Sequence, residues 1–163
     1  MTAPAVRLEP VSLADKPALW DMMSPYLIEH ADKVDPRREH GDPLQSDYFD
    51  AYWTEPERRP YWIVAAGERA GFVLVNAWSP SGRGTQHSIG EFCVTPAARR
   101  RGLGREAARL ALASAPGLWE LQVYRANPEG MAFWPRAIAA AGGADWEIIE
   151  SDDRVIHRFT TAA

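Results

Sequence analysis

The sequence has little of what several common classes of protein require. Its 163 residues include one cysteine, Cys93, so a disulfide framework and a cysteine-based zinc site are both excluded. No apolar run approaches membrane-spanning length, and the segment Met1–Glu9 has no apolar core of the kind found in signal peptides. These absences predict a soluble protein that works in a reducing cytoplasm, away from the membrane.

Lysine is also scarce, since two lysines accompany 16 arginines, and the formal net charge is −4. An acidic balance argues against nucleic acid as a main partner. Residues 1–60 hold 12 acids and 7 bases (net −5), whereas residues 61–163 hold 10 acids and 11 bases (net +1). The split favours a half that accepts phosphate and an acidic half that attracts a cationic amine, although surface acids that only maintain solubility would give the same pattern.

The sequence does contain enough apolar material for one folded domain. An apolar content of 46% and seven tryptophans exclude a disordered chain. Without a linker or an internal repeat, residues 1–163 are predicted to form a single domain, as a monomer or a homodimer. The four histidines have no metal-ligand spacing, so no metal is expected.

The order of helix and strand patterns predicts an α+β fold. A strand at Val6–Glu9 precedes a helix from Ser12 to about Ile28, a loop from Glu29 to Leu44 and a short aromatic helix over Asp47–Trp53. The later elements are three strands, a helix, a strand, a helix and two strands, at about residues 61–66, 70–76, 86–94, 104–114, 118–123, 128–141, 146–150 and 155–160. The second of these helices begins at Pro128 or at Met131, since Pro135 should kink it or move its start later. The strand at 118–123 follows a helical crossover and should run parallel to the strand at 86–94.

The segment Val94–Arg105, between a strand and an alanine-rich helix, says most about function. Gly102 and Gly104 allow a tight loop that turns several backbone N–H groups to one point, and the following helix adds its own N–H groups and its positive dipole end. Arginines on both sides supply forked donors for phosphate oxygens. The pattern predicts a pyrophosphate-binding loop.

Two other phosphate motifs fit less well. The run Gly102–Ala107 matches the dinucleotide fingerprint G-x-G-x-x-G/A, with Glu120 near the position of a ribose-binding acid. However, seven residues separate the strand from Gly102, and the 61 residues that follow are too few for a doubly wound domain. No Gly-Lys-Ser/Thr follows, so a Walker loop is excluded.

The spacing Arg99-x-x-Gly102-x-Gly104, after a strand ending Val94-x-Pro96, resembles the acetyl-CoA signature of the GNAT superfamily of acyl-CoA N-acyltransferases. Asn127 after the strand at 118–123, then Phe133-Trp134 and the Gly142-Gly143 helix stop, resemble the second half of that family. The likeness covers about Tyr61 to Thr160. It implies a three-layer α/β/α sandwich with a central mixed, mostly antiparallel sheet of six to seven strands.

The resemblance also implies a function and a set of cofactor contacts. It implies transfer of an acetyl group from acetyl-CoA to a primary amine by direct attack in a ternary complex, with no metal. In that family the strand at 86–94 splays from its neighbour and the pantetheine arm slips between them. The implied cofactor-binding residues are Phe92, Cys93, Val94, Arg99, Arg100, Arg101, Gly102, Leu103, Gly104, Arg105, Asn127 and Trp134.

Glu91 is the candidate catalytic base. Strand alternation places Ile89, Glu91 and Cys93 on one face, with Phe92 and Val94 on the other, and Gly90 would permit a bulge. A carboxylate there could accept a proton from an ammonium substrate, directly or through water. A solvated residue or an ion pair with a neighbouring arginine would look the same in the sequence.

Two other chemical roles are weaker. Cys93 has no neighbouring base, so apolar packing is favoured over a nucleophile. His87 could relay a proton. The aromatic segment that includes Tyr48, Phe49, Tyr52 and Trp53 is predicted to be mostly core, with some rings available to hold an ammonium group near Asp47 and Asp50.

Trp134 departs from the family pattern. Many members carry a tyrosine here that is thought to protonate the departing thiolate, whereas an indole N–H cannot do so at neutral pH. Either Tyr124 or water substitutes, or no dedicated acid is used, because a thiolate of pKa ~8.5 is a fair leaving group. Two alternative functions stay open: a non-catalytic CoA-binding sensor or scaffold, and a nucleotide-dependent enzyme of another type.

Overall fold

The computed structural model describes residues 4–34 and 48–162. Within them, seven strands form one sheet in the order β1-β2-β3-β4-β5-β7-β6. The strands are β1 (Val6–Pro10), β2 (Arg59–Ala65), β3 (Glu68–Asn76), β4 (His87–Val94), β5 (Gly117–Tyr124), β6 (Ala144–Glu150) and β7 (Arg154–Thr161). The α helices are α1 (Lys16–Val34), α2 (Leu103–Ala113) and α3 (Pro128–Ala140). The α+β class and the mixed, mostly antiparallel sheet are confirmed.

Strand alternation separates two apolar clusters on the two faces of the sheet. Along β2, Ile63 packs into one cluster and its neighbour Trp62 into the other. Helices α2 and α3 cover the first cluster, to which they contribute Leu103 and Ile138. Helix α1 covers the second cluster through Leu19, Met23 and their partly buried neighbours. The molecule is therefore the three-layer sandwich that the sequence predicts.

Strand β4 has a different neighbour relation at each end. It pairs with β3 along its length in antiparallel fashion, but it pairs in parallel with β5 only through His87↔Trp119 and Ser88↔Glu120. Beyond Ser88 the two strands separate. The backbone of β4 from Phe92 to Val94 is consequently left without a β5 partner, and a cleft opens there.

The paired end of β4 is held by a fully buried carboxylate. Glu120 accepts hydrogen bonds from the Ser79 hydroxyl at 2.7 Å, the Ser81 backbone N–H at 3.0 Å and the Arg158 guanidinium at 2.8 Å. Burial alone would favour the neutral acid, but these donors outweigh it and lower the pKa of Glu120. The network fastens β5 to the loop before β4 and to β7.

A β-bulge lies in the middle of β4. Leu74 pairs with Glu91 and the next residue, Val75, pairs with Ile89, so Gly90 is the extra residue. The expected bulge is therefore present, and it corrects the predicted alternation. Ile89 packs in the cluster under α2 and α3, whereas Cys93 packs in the opposite cluster with α1.

Two predicted boundaries on the α1 side are wrong. The helix does not end near Ile28 but continues to Val34, so the first part of the predicted loop Glu29–Leu44 is helical. Ser12 caps a 3-10 turn (Leu13–Asp15) that precedes α1, by accepting a hydrogen bond from the Asp15 N–H. Asp50–Trp53 forms a 3-10 helix. The rest of the predicted loop, with His40, lies outside the described residues, as does Asp47, the first residue of the predicted aromatic helix.

Candidate functional site

The cleft at the carboxyl end of β4 has a volume of about 480 Å³. It is bounded by β4, the loop into α2, the first turns of α2 and α3, and one side of α1. Of the residues predicted to contact the cofactor, all except Arg101 line it: Phe92, Cys93, Val94, Arg99, Arg100, Gly102, Leu103, Gly104, Arg105, Asn127 and Trp134. Residues separated by more than 40 positions in sequence thus meet in one place.

The loop that enters α2 has the backbone conformation that the glycine pattern predicts. Arg100 and Gly102 both adopt left-handed conformations, with φ of 64° and 75°, and Gly102 is the N-cap of α2. The helix begins at Leu103, so its first N–H groups are available at the cleft. The first turn of α2 lies close to β4 at Gly104, because a Cβ added there would be 3.4 Å from Val94 Cγ2.

The arginines of this loop have different positions. Arg99 donates from Nε to the Val94 carbonyl at 2.9 Å and so bridges the loop to the end of β4. Arg100 and Arg105 line the cleft, and Arg105 also lines a second cavity of about 600 Å³ together with Arg136 of α3. Arg101 is exposed and lines neither cavity. The structure therefore brings three of the four predicted arginines to the site.

Asn127 begins α3 and lines the cleft. Its side-chain oxygen accepts a hydrogen bond from the Gly130 N–H at 3.1 Å, which is the N-cap interaction expected for Asn followed by Pro128. Helix α3 begins at Pro128 and includes Pro135 in its interior, so the earlier of the two predicted starts is correct. The structural role of Asn127 and its place in the cleft are thus compatible.

Aromatic side chains form the wall of the cleft on the α3 side. Trp134 lies edge-on to Phe92, with ring centroids 5.1 Å apart, and Phe133 lies 5.6 Å from Phe92. Trp134 is 8% exposed and packs in the apolar cluster under α2 and α3. Tyr124 does not line the cleft, and Arg154 stacks on its ring at 4.9 Å. The candidate substitute acid therefore does not line the cleft, although its ring lies 6.2 Å from the His30 ring, which does.

Glu91 reaches the cleft through another side chain. It does not line the cleft itself, but its carboxylate accepts a hydrogen bond of 2.6 Å from the Tyr26 hydroxyl, and Tyr26 does line the cleft. Burial, followed by the charge of Glu91, raises the pKa of Tyr26 well above its ordinary value. His30 stacks on Tyr26 at 5.2 Å and also lines the cleft, next to Glu29.

Sequence reasoning missed these three residues of α1. The sequence pattern places Tyr26 in the core stripe of the helix, and Glu29 and His30 in a loop. The signal that identifies them is their spacing, since positions 26, 29 and 30 share one helical face. That signal is informative only once the helix is known to extend beyond Ile28.

Cys93 lies between the cleft and the α1 cluster. Burial raises the pKa of its thiol to about 11, although the nearby Arg99 guanidinium acts in the opposite direction. The side chain is 7% exposed. A thiol of this kind is protonated at neutral pH, which agrees with the packing role expected from the sequence.

Two weaker candidates lie outside the cleft. His87 contacts Arg59 and the Pro116 carbonyl at the paired end of β4, and burial lowers its pKa. The aromatic rings of the segment before β2 make cation–π contacts with the protein's own Lys16 and Arg58. Lys16 lies over Phe49 and Trp53, and Arg58 lies over Tyr48 and Tyr52.

Residues 4–34 and 48–162 contain no helix with both the length and the apolar character needed to cross a membrane. The same residues bring together no group of three or more His, Cys, Asp or Glu side chains that could hold a metal ion.

Comparison with known proteins identifies the class to which this fold and site belong. The sequence model of the acetyltransferase (GNAT) family matches residues 20–138, which include the glycine loop and the cleft walls. The chain belongs to that family. No curated relative matches the chain in sequence.

Solved structures of acetyltransferases share the fold. An acetyltransferase from Thermus thermophilus is 17% identical, with 98% of this chain and 99% of that chain covered and a TM-score of 0.68. Spermidine N-acetyltransferase from Vibrio cholerae, in complex with CoA and spermine, is 11% identical, with 96% and 95% covered and a TM-score of 0.65. The ribosomal-protein-S18-alanine N-acetyltransferase from Escherichia coli is 15% identical, with 98% and 96% covered and a TM-score of 0.61.

The cleft fits the acetyl-CoA that the family uses. A left-handed loop at a helix N-terminus can accept a diphosphate. The unpaired end of β4 offers backbone groups along an extended path, and Phe92, Phe133 and Trp134 offer an apolar wall. Acetyl-CoA is therefore the co-substrate that the residues of this site can hold.

Proposed function

We propose that the protein transfers an acetyl group from acetyl-CoA to a primary amine, which attacks the thioester directly while both substrates are bound. The observation that carries this proposal is the separation of β4 from β5 beside a left-handed glycine loop. This combination provides one cleft that can hold a diphosphate at one end and a thioester at the other. Such an enzyme works mainly by positioning its two substrates.

The proposed cofactor contacts follow the lining of the cleft. Backbone N–H groups from Arg100 to Arg105 would bind the diphosphate, with Arg99, Arg100 and Arg105 adding positive charge. The pantetheine arm would lie along Phe92–Val94, and a backbone N–H there would polarise the thioester carbonyl. Arg101 is left out of the proposed contacts because it is exposed and does not line the cleft.

The proposed proton chemistry needs a base for the amine and no dedicated acid for the thiol. Glu91 would take the proton of the ammonium group, which makes the nitrogen nucleophilic. The leaving thiolate would be protonated by solvent, because Trp134 supplies only a weak N–H donor and Tyr124 does not line the cleft. A thiolate of pKa ~8.5 leaves without assistance at neutral pH.

The proposed acceptor is a cationic amine. Glu29 lines the cleft from α1, and Glu91 accepts a hydrogen bond from Tyr26, which also lines it, so two carboxylates lie at or next to the α1 side of the cleft. The Vibrio cholerae neighbour acts on spermidine and the Escherichia coli neighbour on an alanine of a ribosomal protein. Spermidine and an N-terminal alanyl peptide are therefore the first acceptors to test.

The test compares cofactor binding with turnover. Acetyl-CoA at 100 times its dissociation constant should stabilise the folded chain by about 2.7 kcal/mol and raise the melting temperature, whereas NAD and ATP should not. Thiol release measured with a chromogenic disulfide should then depend on an added amine. A Gly104→Val variant, whose side chain would press on Val94 and Phe133, should lose the stabilisation by acetyl-CoA.

A second candidate function is a CoA-binding module without turnover. Trp134 favours it, since this indole lies where many family members carry a tyrosine. It predicts stabilisation by CoA with no thiol release for any amine. Efficient acetylation of one acceptor excludes it, and the absence of any CoA-dependent stabilisation excludes both functions.

A further inference from the structure

Tyr26 and the proposed base Glu91 form a hydrogen-bonded pair beside the cleft. Glu91 is half-buried and is not one of the side chains that line the cleft. Tyr26, 65 positions earlier in the sequence, lines the cleft and donates its hydroxyl proton to Glu91 over 2.6 Å. The phenol therefore lies between the cleft and the carboxylate.

We infer that Tyr26 is the catalytic residue that touches the acceptor amine and relays its proton to Glu91. This inference rests on the proposed function. In the step, an N–H bond of the ammonium group breaks and its proton binds the phenolic oxygen. The original Tyr26 proton moves at the same time to the Glu91 carboxylate. The cationic amine and the anionic carboxylate thus become a neutral amine and a neutral acid, with the phenol unchanged.

The hydrogen bonds of Tyr26 suit a relay. A phenolic hydroxyl donates one proton and accepts at two lone pairs. Its proton is directed to Glu91, and the backbone N–H of Phe92 approaches the oxygen, which places the hydroxyl at the open end of β4. One lone pair is left for an N–H group of the acceptor. The hydroxyl is thus both fixed by β4 and able to face a substrate.

The raised pKa of Tyr26 excludes a role as a phenolate base. Burial and the charge of Glu91 raise its pKa well above the ordinary value, so the phenol is neutral near pH 7. A neutral phenol does not act as a base unless its own proton leaves at the same time. Glu91 is the group that can take that proton.

Other titratable groups surround the pair and must be separated from it. Glu29 and His30 lie on the same face of α1, and His30 stacks on the Tyr26 ring at 5.2 Å. Cys93 on β4 and Tyr52 of the Asp50–Trp53 helix interact electrostatically with Tyr26 and Glu91 respectively. A His30→Gln variant removes the imidazole titration without removing the relay.

The experiment uses Tyr26→Phe, Glu91→Gln and the double variant. Tyr61→Phe is the matched control, because Tyr61 packs on the other face of the sheet and does not line the cleft. Rates of thiol release from acetyl-CoA are measured from pH 6 to pH 10 with spermidine and with an N-terminal alanyl peptide. Melting temperatures and acetyl-CoA dissociation constants are measured for every variant.

Each single variant should lower kcat at pH 7 about 100-fold, the lower end of the usual range for acid–base catalysis. The double variant should be no slower than either single variant, because one relay is lost in all three. The deficit should shrink as the pH approaches the pKa of the amine, since free amine needs no proton removal. The acetyl-CoA dissociation constant and the rate of Tyr61→Phe should stay within twofold of wild type.

Three results would overturn the relay. They are a Tyr26→Phe rate within twofold of wild type, a loss that is the same at every pH, and losses in Tyr26→Phe and Glu91→Gln that multiply in the double variant. Failure of the wild-type chain to use either amine while it still binds acetyl-CoA also overturns it. Failure to bind acetyl-CoA overturns the proposed function itself.

Discussion

The two ends of strand β4, His87 and Val94, lie seven residues apart and differ in their pairing with β5. At the amino end, His87 and Ser88 pair with β5, and the buried Glu120 beside them is fully hydrogen-bonded within the protein. At the carboxyl end, the same strand has no β5 partner, and its backbone from Phe92 to Val94 borders a cleft. One strand is thus paired on both sides over its first residues and has an edge without a β5 partner, next to the cleft, over its last.

The comparison shows how a sheet can open without losing its order. The pairing of β4 with β3 continues past the point where β5 separates, so the free edge is held from one side. The buried ion pair between Glu120 and Arg158 joins β5 to β7 at the end where β4 and β5 pair. The Gly90 bulge lies between this end of β4 and its unpaired end. The unpaired edge is therefore supported by β3 on one side and by the paired end of its own strand.

The largest expected effect comes from removing the buried ion pair between Glu120 and Arg158, at the end of β4 that pairs with β5. Glu120→Ala should lower the free energy of unfolding by about 3 kcal/mol or more, because it leaves the Arg158 guanidinium, 16% exposed, without its buried partner. Urea denaturation measures the loss. Glu147→Ala is the control, since its pair with Arg83 is about half exposed on both sides and should contribute less than about 1 kcal/mol. Equal losses for the two variants would contradict the role of the buried ion pair.

The alkylation rate of the Cys93 thiol tests how deeply the carboxyl end of β4 is buried. With a pKa of about 11, it is protonated at pH 8, so alkylation by iodoacetamide should be about 100-fold slower than for an unperturbed thiol. The rate should rise about tenfold per pH unit and level off only near pH 11, since the thiolate is the reacting form. Because the chain has a single cysteine, the urea-unfolded protein is the matched reference. A plateau below pH 9 would show that the thiol is not buried as described.

The bulge between the two ends can be tested with Gly90→Ala. A Cβ there would lie 2.5 Å from Asn76 Nδ2 and 2.9 Å from the Tyr52 hydroxyl, both of which belong to buried side chains. Overpacking of this kind should cost about 2 kcal/mol of unfolding free energy. Gly104→Ala is the control for stability, because its Cβ would lie 3.4 Å from the nearest atom, at ordinary contact distance. A Gly90→Ala chain as stable as Gly104→Ala would contradict the bulge.

The smallest expected effect concerns the arginine that joins the loop to the open end. Arg99→Ala removes the bond to the Val94 carbonyl and one positive charge at the cleft, and it should raise the CoA dissociation constant about tenfold. Calorimetric titration measures the change. Arg109→Ala is the control, since Arg109 lies on α2, pairs with Glu106 and does not line the cleft. An Arg99→Ala affinity equal to that of Arg109→Ala would exclude Arg99 from the cofactor site.

Much of this architecture could be predicted from the sequence because the relevant signals are local. The glycine loop, the Asn127 cap and the parallel crossover each depend on a short segment with a direct physical meaning. The possibility of a bulge at Gly90 is also visible in the sequence. Its effect on Ile89 is not, because register depends on the neighbouring strand β3.

The site residues on α1 could not be predicted for a different reason. The segment after Ile28 is charged, and charge alone favours a loop, although Glu, Ala and Lys are good helix formers. Tyr26 has the spacing of a core residue, and its contact with Glu91 joins positions 65 apart. Only the packing of α1 on β4 brings the two side chains together.

Trp134 has a practical consequence. An indole at 8% exposure in the wall of the cleft, edge-on to Phe92, changes its surroundings whenever a ligand replaces solvent there. Its fluorescence, among that of the seven tryptophans, is therefore expected to change when a ligand occupies the cleft. Trp134, which stands where many family members carry a proton-donating tyrosine, is thus also a fluorophore in the wall of the cleft.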